Sequence, residues 1–122
     1  MRSCFLLSLC FAITTAMPAS NPKAQRAFKD GLRYETIAQW KEADKAYSEA
    51  IQNDPADAAS YQHRAKVRYE LGDYQHALED ADLFLRTQPT SAEGYQLRGD
   101  IHRRLTDHRH ALADYTRAIE AG

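Results

Sequence analysis

From residue 22 onward, apolar positions recur at helical spacing, in blocks split by short breaks. In the clearest block Tyr74, Ala77, Leu78, Ala81, Phe84 and Leu85 follow i, i+3, i+4, i+7 spacing, which sets them along one side of a helix. Before it Tyr61, Ala65 and Leu71 mark one face of another helix, and Gly72-Asp73 separates the two. Pro55 and Pro89 disfavour helical geometry in the residue that precedes each, and so close the helices before them. Asn21-Pro22 has the form of an N-cap followed by proline at the first helical position. The pattern predicts six helices, at 22–37, 40–53, 58–71, 74–87, 92–105 and 108–120.

The blocks repeat. Tyr61-Gln62-His63-Arg64 returns 34 residues later as Tyr95-Gln96-Leu97-Arg98, and His76-Ala77-Leu78 returns as His110-Ala111-Leu112 at the same offset. Leu71-Gly72-Asp73-Tyr74 becomes Leu105-Thr106-Asp107-His108, and Pro55 becomes Pro89. Extended backwards, the period aligns Ala43 with Ala77 and Ala111, and Trp40 with Tyr74 and His108. Small residues fall where paired helices must come closest: Gly31, Ala65 and Gly99 in the first helices, Ala43, Ala77 and Ala111 in the second. Tyr34, Trp40, Tyr47, Phe84 and Tyr115 fill the gaps around them. No unit can bury its apolar face alone, so stability must reside largely in contacts between neighbours.

This small-large pattern at period 34, closed by proline, resembles the tetratricopeptide repeat family. The residues that carry the resemblance are Gly31, Tyr34, Ala43, Tyr47, Ala50 and Pro55, then Tyr61, Ala65, Gly72, Tyr74, Ala77 and Pro89, then Tyr95, Gly99, Ala111, Tyr115 and Ala118. It implies an all-α fold, an α-solenoid of three tandem helix-turn-helix repeats in a right-handed superhelix, with units at 21–57, 58–91 and 92–122. It also implies a non-enzymatic module that binds a protein or peptide in a concave groove walled by the first helix of each unit. On this sequence the groove positions are Phe28, Lys29, Leu32 and Glu35, then Gln62, His63, Lys66 and Tyr69, then Gln96, Asp100, Arg103 and Arg104.

Phe28 and Leu32 would form an apolar patch at the N-terminal end, unless Phe28 packs against residues 17–24 or under the neighbouring helix. Lys66, Arg103 and Arg104 form either a basic patch or, with Glu70 and Asp100, a solvated face of mixed charge. Some family members grip chaperone tails with a clamp of lysines and asparagines. Phe28 and Leu32 stand at the corresponding first-unit positions and cannot bond a carboxylate. Affinity on the order of micromolar is expected of one short groove.

Composition changes the picture at one end only. Residues 21–122 have ordinary globular character, and a net charge of −1 for the chain gives no electrostatic case for nucleic acid. Residues 1–20 differ. Arg2 is their single charge, Cys4 to Ile13 is an apolar run, and small residues follow, the order of a secretory signal peptide cleaved after Ala16 or Ala19. Ten apolar residues rise about 15 Å as a helix, half of a hydrocarbon core, so no stable membrane span is expected once the leader is cleaved. The expected location is therefore outside the cytosol, periplasmic or secreted, or the ER lumen in a eukaryote. Both cysteines lie in this segment, so the remainder can form no disulfide and must be held by packing.

Two further features bear on function. Arg64 and Asp80 are 16 apart, as are Arg98 and Asp114, which reads as Arg–Asp bridges between helices; exposed, these would be worth about 0–1 kcal/mol each. His63, His76, His102, His108 and His110 raise the question of a metal. His108 and His110 diverge on a helix, while His102 and His108 flank the last turn and could meet with Asp107 beside them; no metal or other cofactor is expected from so weak a set. No catalytic constellation, phosphate loop or nucleophile elbow is present, so neither an enzyme nor a small-molecule substrate is expected. Beyond the last helix no polar capping helix follows. Tyr115, Ala118 and Ile119 should then be partly bare, which offers an alternative role: self-assembly, or docking onto a larger envelope complex, through the C-terminal end.

Overall fold

The computed structural model describes residues 21–122, so the leader expected at 1–20 lies outside the described residues. Six α-helices follow one another: α1 (Pro22–Thr36), α2 (Trp40–Asn53), α3 (Ala58–Glu70), α4 (Tyr74–Thr87), α5 (Ala92–Arg104) and α6 (His108–Ala121). Each lies within one residue, at either end, of the span that the apolar pattern predicts. Among the described residues there is no strand, and no helix is long and apolar enough to cross a membrane.

Most starts are capped by the residue type the sequence offers. The side chains of Asn21, Asp57, Asp73, Ser91 and Asp107 each accept from a backbone N–H in the first turn of the following helix, while α2, preceded by Gln39, has no such cap. The hairpin turns share one geometry at the period of the sequence. Ala38, Gly72 and Thr106 sit at φ 56°, 79° and 61°, in the left-handed region. The next residue's N–H then bonds back across the helix end: Gln39 to the Tyr34 carbonyl, Asp73 to that of Arg68, Asp107 to that of His102, at 2.8–2.9 Å. Glycine occupies this position once; alanine and threonine carry the cost of left-handed geometry in the other two turns. Thr106→Gly is expected to stabilise the chain by about 1 kcal/mol, a rise of about 4–8 °C in thermal midpoint. A fall in the midpoint would show that the Thr106 side chain contributes more than its backbone costs.

Packing runs between successive helices, each against the next, and α3 also touches α5. Ala43, Tyr47 and Val67 form one buried cluster, flanked by Phe28, Tyr34 and Trp40. Ala65, Ala77, Ala81 and Ile101 form another, flanked by Tyr69, Tyr74, Leu78, Leu97 and Leu105. All six small positions singled out by the repeat are buried. Gly94 makes a further close approach: a Cβ there would lie 2.7 Å from the Phe84 ring and 2.8 Å from Leu85, so its absence lets α5 settle onto α4.

The arginine–aspartate pairs bridge helices, but they are not exposed pairs. Asp80 is 1% exposed and accepts from Arg64 Nε at 2.9 Å, Arg64 Nη2 at 2.8 Å and Arg68 Nη1 at 3.0 Å. The same two arginines reach back to α2, Arg64 to Ser48 and Arg68 to Asp44. In the next unit Arg98 holds Asp114 through two nitrogens and reaches back to Asp82 on α4. Each guanidinium therefore joins its own hairpin to the preceding one. Burial opposes the charge on Arg64, yet its bonds to Asp80 and the charges of Asp80 and Asp44 outweigh that and hold it above the ordinary arginine range. Tyr61 and Tyr95 repeat for a related reason: each donates its hydroxyl to the carbonyl of the proline that closes the preceding hairpin, Pro55 or Pro89.

Candidate functional site

Residues of α1, α3 and α5 line one side of the stack. At its N-terminal end Phe28 is half-buried and faces the rings of Tyr47 and His63, with centroids 5.7 and 5.5 Å away. Tyr47 and His63 stack at 5.4 Å. Glu35 ties them together, accepting from the Tyr47 hydroxyl and lying 2.9 Å from His63 Nδ1. Phe28, Glu35 and His63 thus form one inter-hairpin cluster, and Phe28 packs under the neighbouring helix as much as it faces outward. Lys29 and Leu32 are exposed beside it.

Burial, reinforced by the hydrogen bond to Glu35 and its negative charge, pushes the Tyr47 phenol well above the usual tyrosine range. A group whose folded pKa is raised adds stability that is complete below its unfolded pKa, about 10, and is lost as pH climbs towards the folded value. In alkaline titration the ionisation of Tyr47 should be withheld until the helices melt, later even than that of Tyr115, whose pKa burial and the bond to Asp100 also raise. Tyr47→Phe should abolish the withheld step; if all tyrosines of the wild type ionise before helix is lost, the cluster is looser than described.

Further along, Glu35, Trp40, Lys66, Tyr69, Glu70, Leu97 and Asp100 surround a hollow of about 250 Å³. A second hollow of about 280 Å³, lined by Lys66, Glu93, Gln96, Leu97 and Asp100, shares part of this wall. The two centre on Lys66, with carboxylates around it. Asp100 accepts from the Tyr115 hydroxyl, and Gln62 reaches Glu93 at 3.5 Å. Arg104 does not stand free: its Nε donates to the Tyr69 hydroxyl at 3.1 Å and its guanidinium lies over the Tyr69 and Tyr74 rings. Arg103 is exposed in the last turn of α5. The face is one of mixed charge.

Trp40 packs against the core cluster as the sequence indicates and also lines the hollow, a role its spacing alone did not show. It stands at the first position of α2, where the turn brings it to the mouth of the hollow; its repeat counterpart Tyr74 lies against Tyr69, and that recurrence was the available signal. The histidines also pair differently from expectation. His102 stacks on His110 at 5.2 Å, not on His108, because His110 turns back towards the N-cap Asp107 while His108 is exposed at the first position of α6.

At the C-terminal end Ile119 is 79% and Leu112 69% exposed. Ala118 and Ile119, with Tyr115, Ala92, Glu93 and Gln96, line a hollow of about 340 Å³. One period earlier, Phe84 and Leu85 occupy the places of Ala118 and Ile119 and are buried against α5.

With this geometry in view, comparison with known proteins gives a sequence match over the last hairpin and a shared fold over most of the chain. A sequence model described as tetratricopeptide repeat matches residues 92–121. Residues 92–121 are similar to a tetratricopeptide repeat. Among solved structures it is similar to the TPR2B domain of yeast Sti1 in a pHsp70 complex, with 27% identity, a TM-score of 0.77, and coverage of 81% of this chain and 79% of that one. It is similar to the Arabidopsis OM64 TPR domain at 26% identity, TM-score 0.78, covering 81% and 82%. The first TPR of Spaghetti (RPAP3), bound to the HSP90 peptide SRMEEVD, shares the fold at 24% identity and TM-score 0.79, covering 83% and 80%. No curated protein matches the chain. As a class this fold is a protein-interaction module.

Proposed function

We propose that the chain binds an extended peptide segment of a partner protein along the face formed by α1, α3 and α5. The observation that carries this reading is the pair of adjoining hollows around Lys66, where Trp40, Tyr69 and Leu97 offer apolar wall beside the carboxylates of Glu70 and Asp100. That wall suits an apolar side chain flanked by a basic one. Two of the similar structures hold chaperone-derived partners, which supports a peptide as ligand. An acidic tail such as SRMEEVD suits this chain less well, since Phe28 and Leu32 replace donors and carboxylates surround the central lysine. The leader pattern at 1–20 supports, on this proposal, an encounter outside the cytosol.

Selection of peptides from a displayed library on the full chain tests the reading. Enriched sequences should pair an apolar residue with lysine or arginine. Their affinity should fall about tenfold (~1.4 kcal/mol) in Tyr69→Ala and in Glu70→Lys, and hold in Lys45→Glu on the exposed side of α2. Peptides indifferent to the first two changes would refute the groove.

A second reading rests on the exposed Leu112 and Ile119: the outer side of α6 docks another helix, from a second copy or a larger assembly. Light scattering decides it. A dimer abolished by Ile119→Lys supports this reading, and a monomer at tens of micromolar removes the second copy as occupant.

A further inference from the structure

The third hairpin differs from the second in one respect that alters its chemistry. In both, the N-cap aspartate meets a histidine in the first turn of the next helix: His76 Nδ1 lies 2.7 Å from Asp73, and His110 Nδ1 lies 2.6 Å from Asp107. In both, a buried aspartate further along that helix is held by an arginine, Asp80 by Arg64 and Asp114 by Arg98. In the second hairpin Arg68 supplies a further cation at Asp80. In the third, at the place of Arg68, stands His102.

His102 points one ring nitrogen at each carboxylate. Its Nδ1 is 3.7 Å from Asp107 Oδ2, the same oxygen that meets His110, and its Nε2 faces Asp114 Oδ2 at 3.8 Å. We propose that His102, Asp107 and His110 bind a divalent transition-metal ion of the zinc class at the α5–α6 turn. One ligand atom from each residue already lies within 4.8 Å of the other two. Two imidazoles and a carboxylate are a donor set that zinc accepts, with water completing the coordination. Metal–ligand bonds of about 2.0–2.2 Å put neighbouring ligand atoms about 3.3 Å apart. The 2.6 Å contact would open by about 0.7 Å and the 3.7 Å contact close by about 0.4 Å, and the stacked rings of His102 and His110 would turn out of their near-parallel arrangement so that both lone pairs meet at the ion.

Asp114 completes the arrangement from behind. Arg98 fixes it through two nitrogens, and Asp114 Oδ2 lies 3.8 Å from His102 Nε2, where a small shift on metal binding would let that nitrogen donate to it and leave Nδ1 for the ion. His102 is largely enclosed while His110 is exposed, so the ion has a rigid inner wall and an open approach from solvent. The dication would supply the positive charge that Arg68 gives the second hairpin.

Zinc titration of the full chain by calorimetry, at neutral pH, tests the proposal with an internal control. Wild type should take up one equivalent that is lost in His102→Arg and in His110→Ala and kept in His76→Ala. Cys4 and Cys10 are common to every variant, so any zinc they hold cancels in the comparison. Asp107→Asn preserves the helix cap, since asparagine caps as well as aspartate, and should weaken binding at least about tenfold with helicity unchanged. His102→Arg installs the residue found at the same place in the second hairpin; should it fail to fold, Asp107→Asn decides alone. Equal zinc uptake by wild type and His102→Arg, no uptake by wild type, or the same loss in His76→Ala as in His110→Ala overturns the proposal.

Discussion

Asp80→Ala is expected to lower stability by about 3–5 kcal/mol, the cost of breaking a buried ion pair from one side. The carboxylate is 1% exposed and takes three hydrogen bonds from two arginines, so its removal strands Arg64 and Arg68 in largely buried surroundings. A domain of this size has only about 5–15 kcal/mol in total. The thermal midpoint should fall by about 15 °C or more, and the loss should extend beyond one hairpin, because the same arginines anchor α2 through Ser48 and Asp44. Asp82→Ala is the matched comparison. That carboxylate also receives an arginine, Arg98, but its side chain is 45% exposed, so its loss should cost no more than about 1 kcal/mol. Equal small losses from the two substitutions would mean that burial does not set the strength of these pairs.

The second large effect concerns Gly31. A Cβ at this position would come within 2.5–2.8 Å of three atoms of the Tyr47 ring. That ring is fully buried, stacked on His63 and bonded to Glu35, so it cannot swing aside. Alanine in mid-helix gains about 1 kcal/mol over glycine in propensity, while overpacking of a fixed core costs about 1–3 kcal/mol. The clash involves a rigid ring and should win, leaving Gly31→Ala about 1–2 kcal/mol less stable in denaturant unfolding. The second hairpin supplies the control: Ala65 stands in the place of Gly31, and there the opposing residue is Ala81, not tyrosine. Gly99 and Tyr115 restore the first combination in the third hairpin, where a Cβ would meet the ring at 2.8 Å. Gly99→Ala should therefore destabilise the parent chain and stabilise a Tyr115→Ala background. The same sign in both backgrounds would show that the glycines answer to something other than the facing ring.

These two cases mark how far the sequence could be read. The period of 34, the six helices and their ends were all legible, because helix spacing, caps and prolines act over a few residues and each leaves a local trace. The groove positions were legible only as places on three helices. That Phe28, Glu35 and His63 meet in one cluster with Tyr47, that Trp40 reaches the hollow, and that carboxylates gather about Lys66 depend on side chains from different hairpins. No local pattern records those distances.

The sequence by itself determined that the chain folds as three like hairpins, since apolar spacing and small residues at one period leave few other ways to bury the nonpolar face. Tertiary structure alone decided how strongly each repeated pair acts and which histidines meet. Arg64–Asp80 reads the same as any surface pair until burial removes the water around it. His102 finds His110 because the turn at Thr106 folds α6 back onto α5, bringing together residues eight apart that one straight helix would hold about 12 Å from each other.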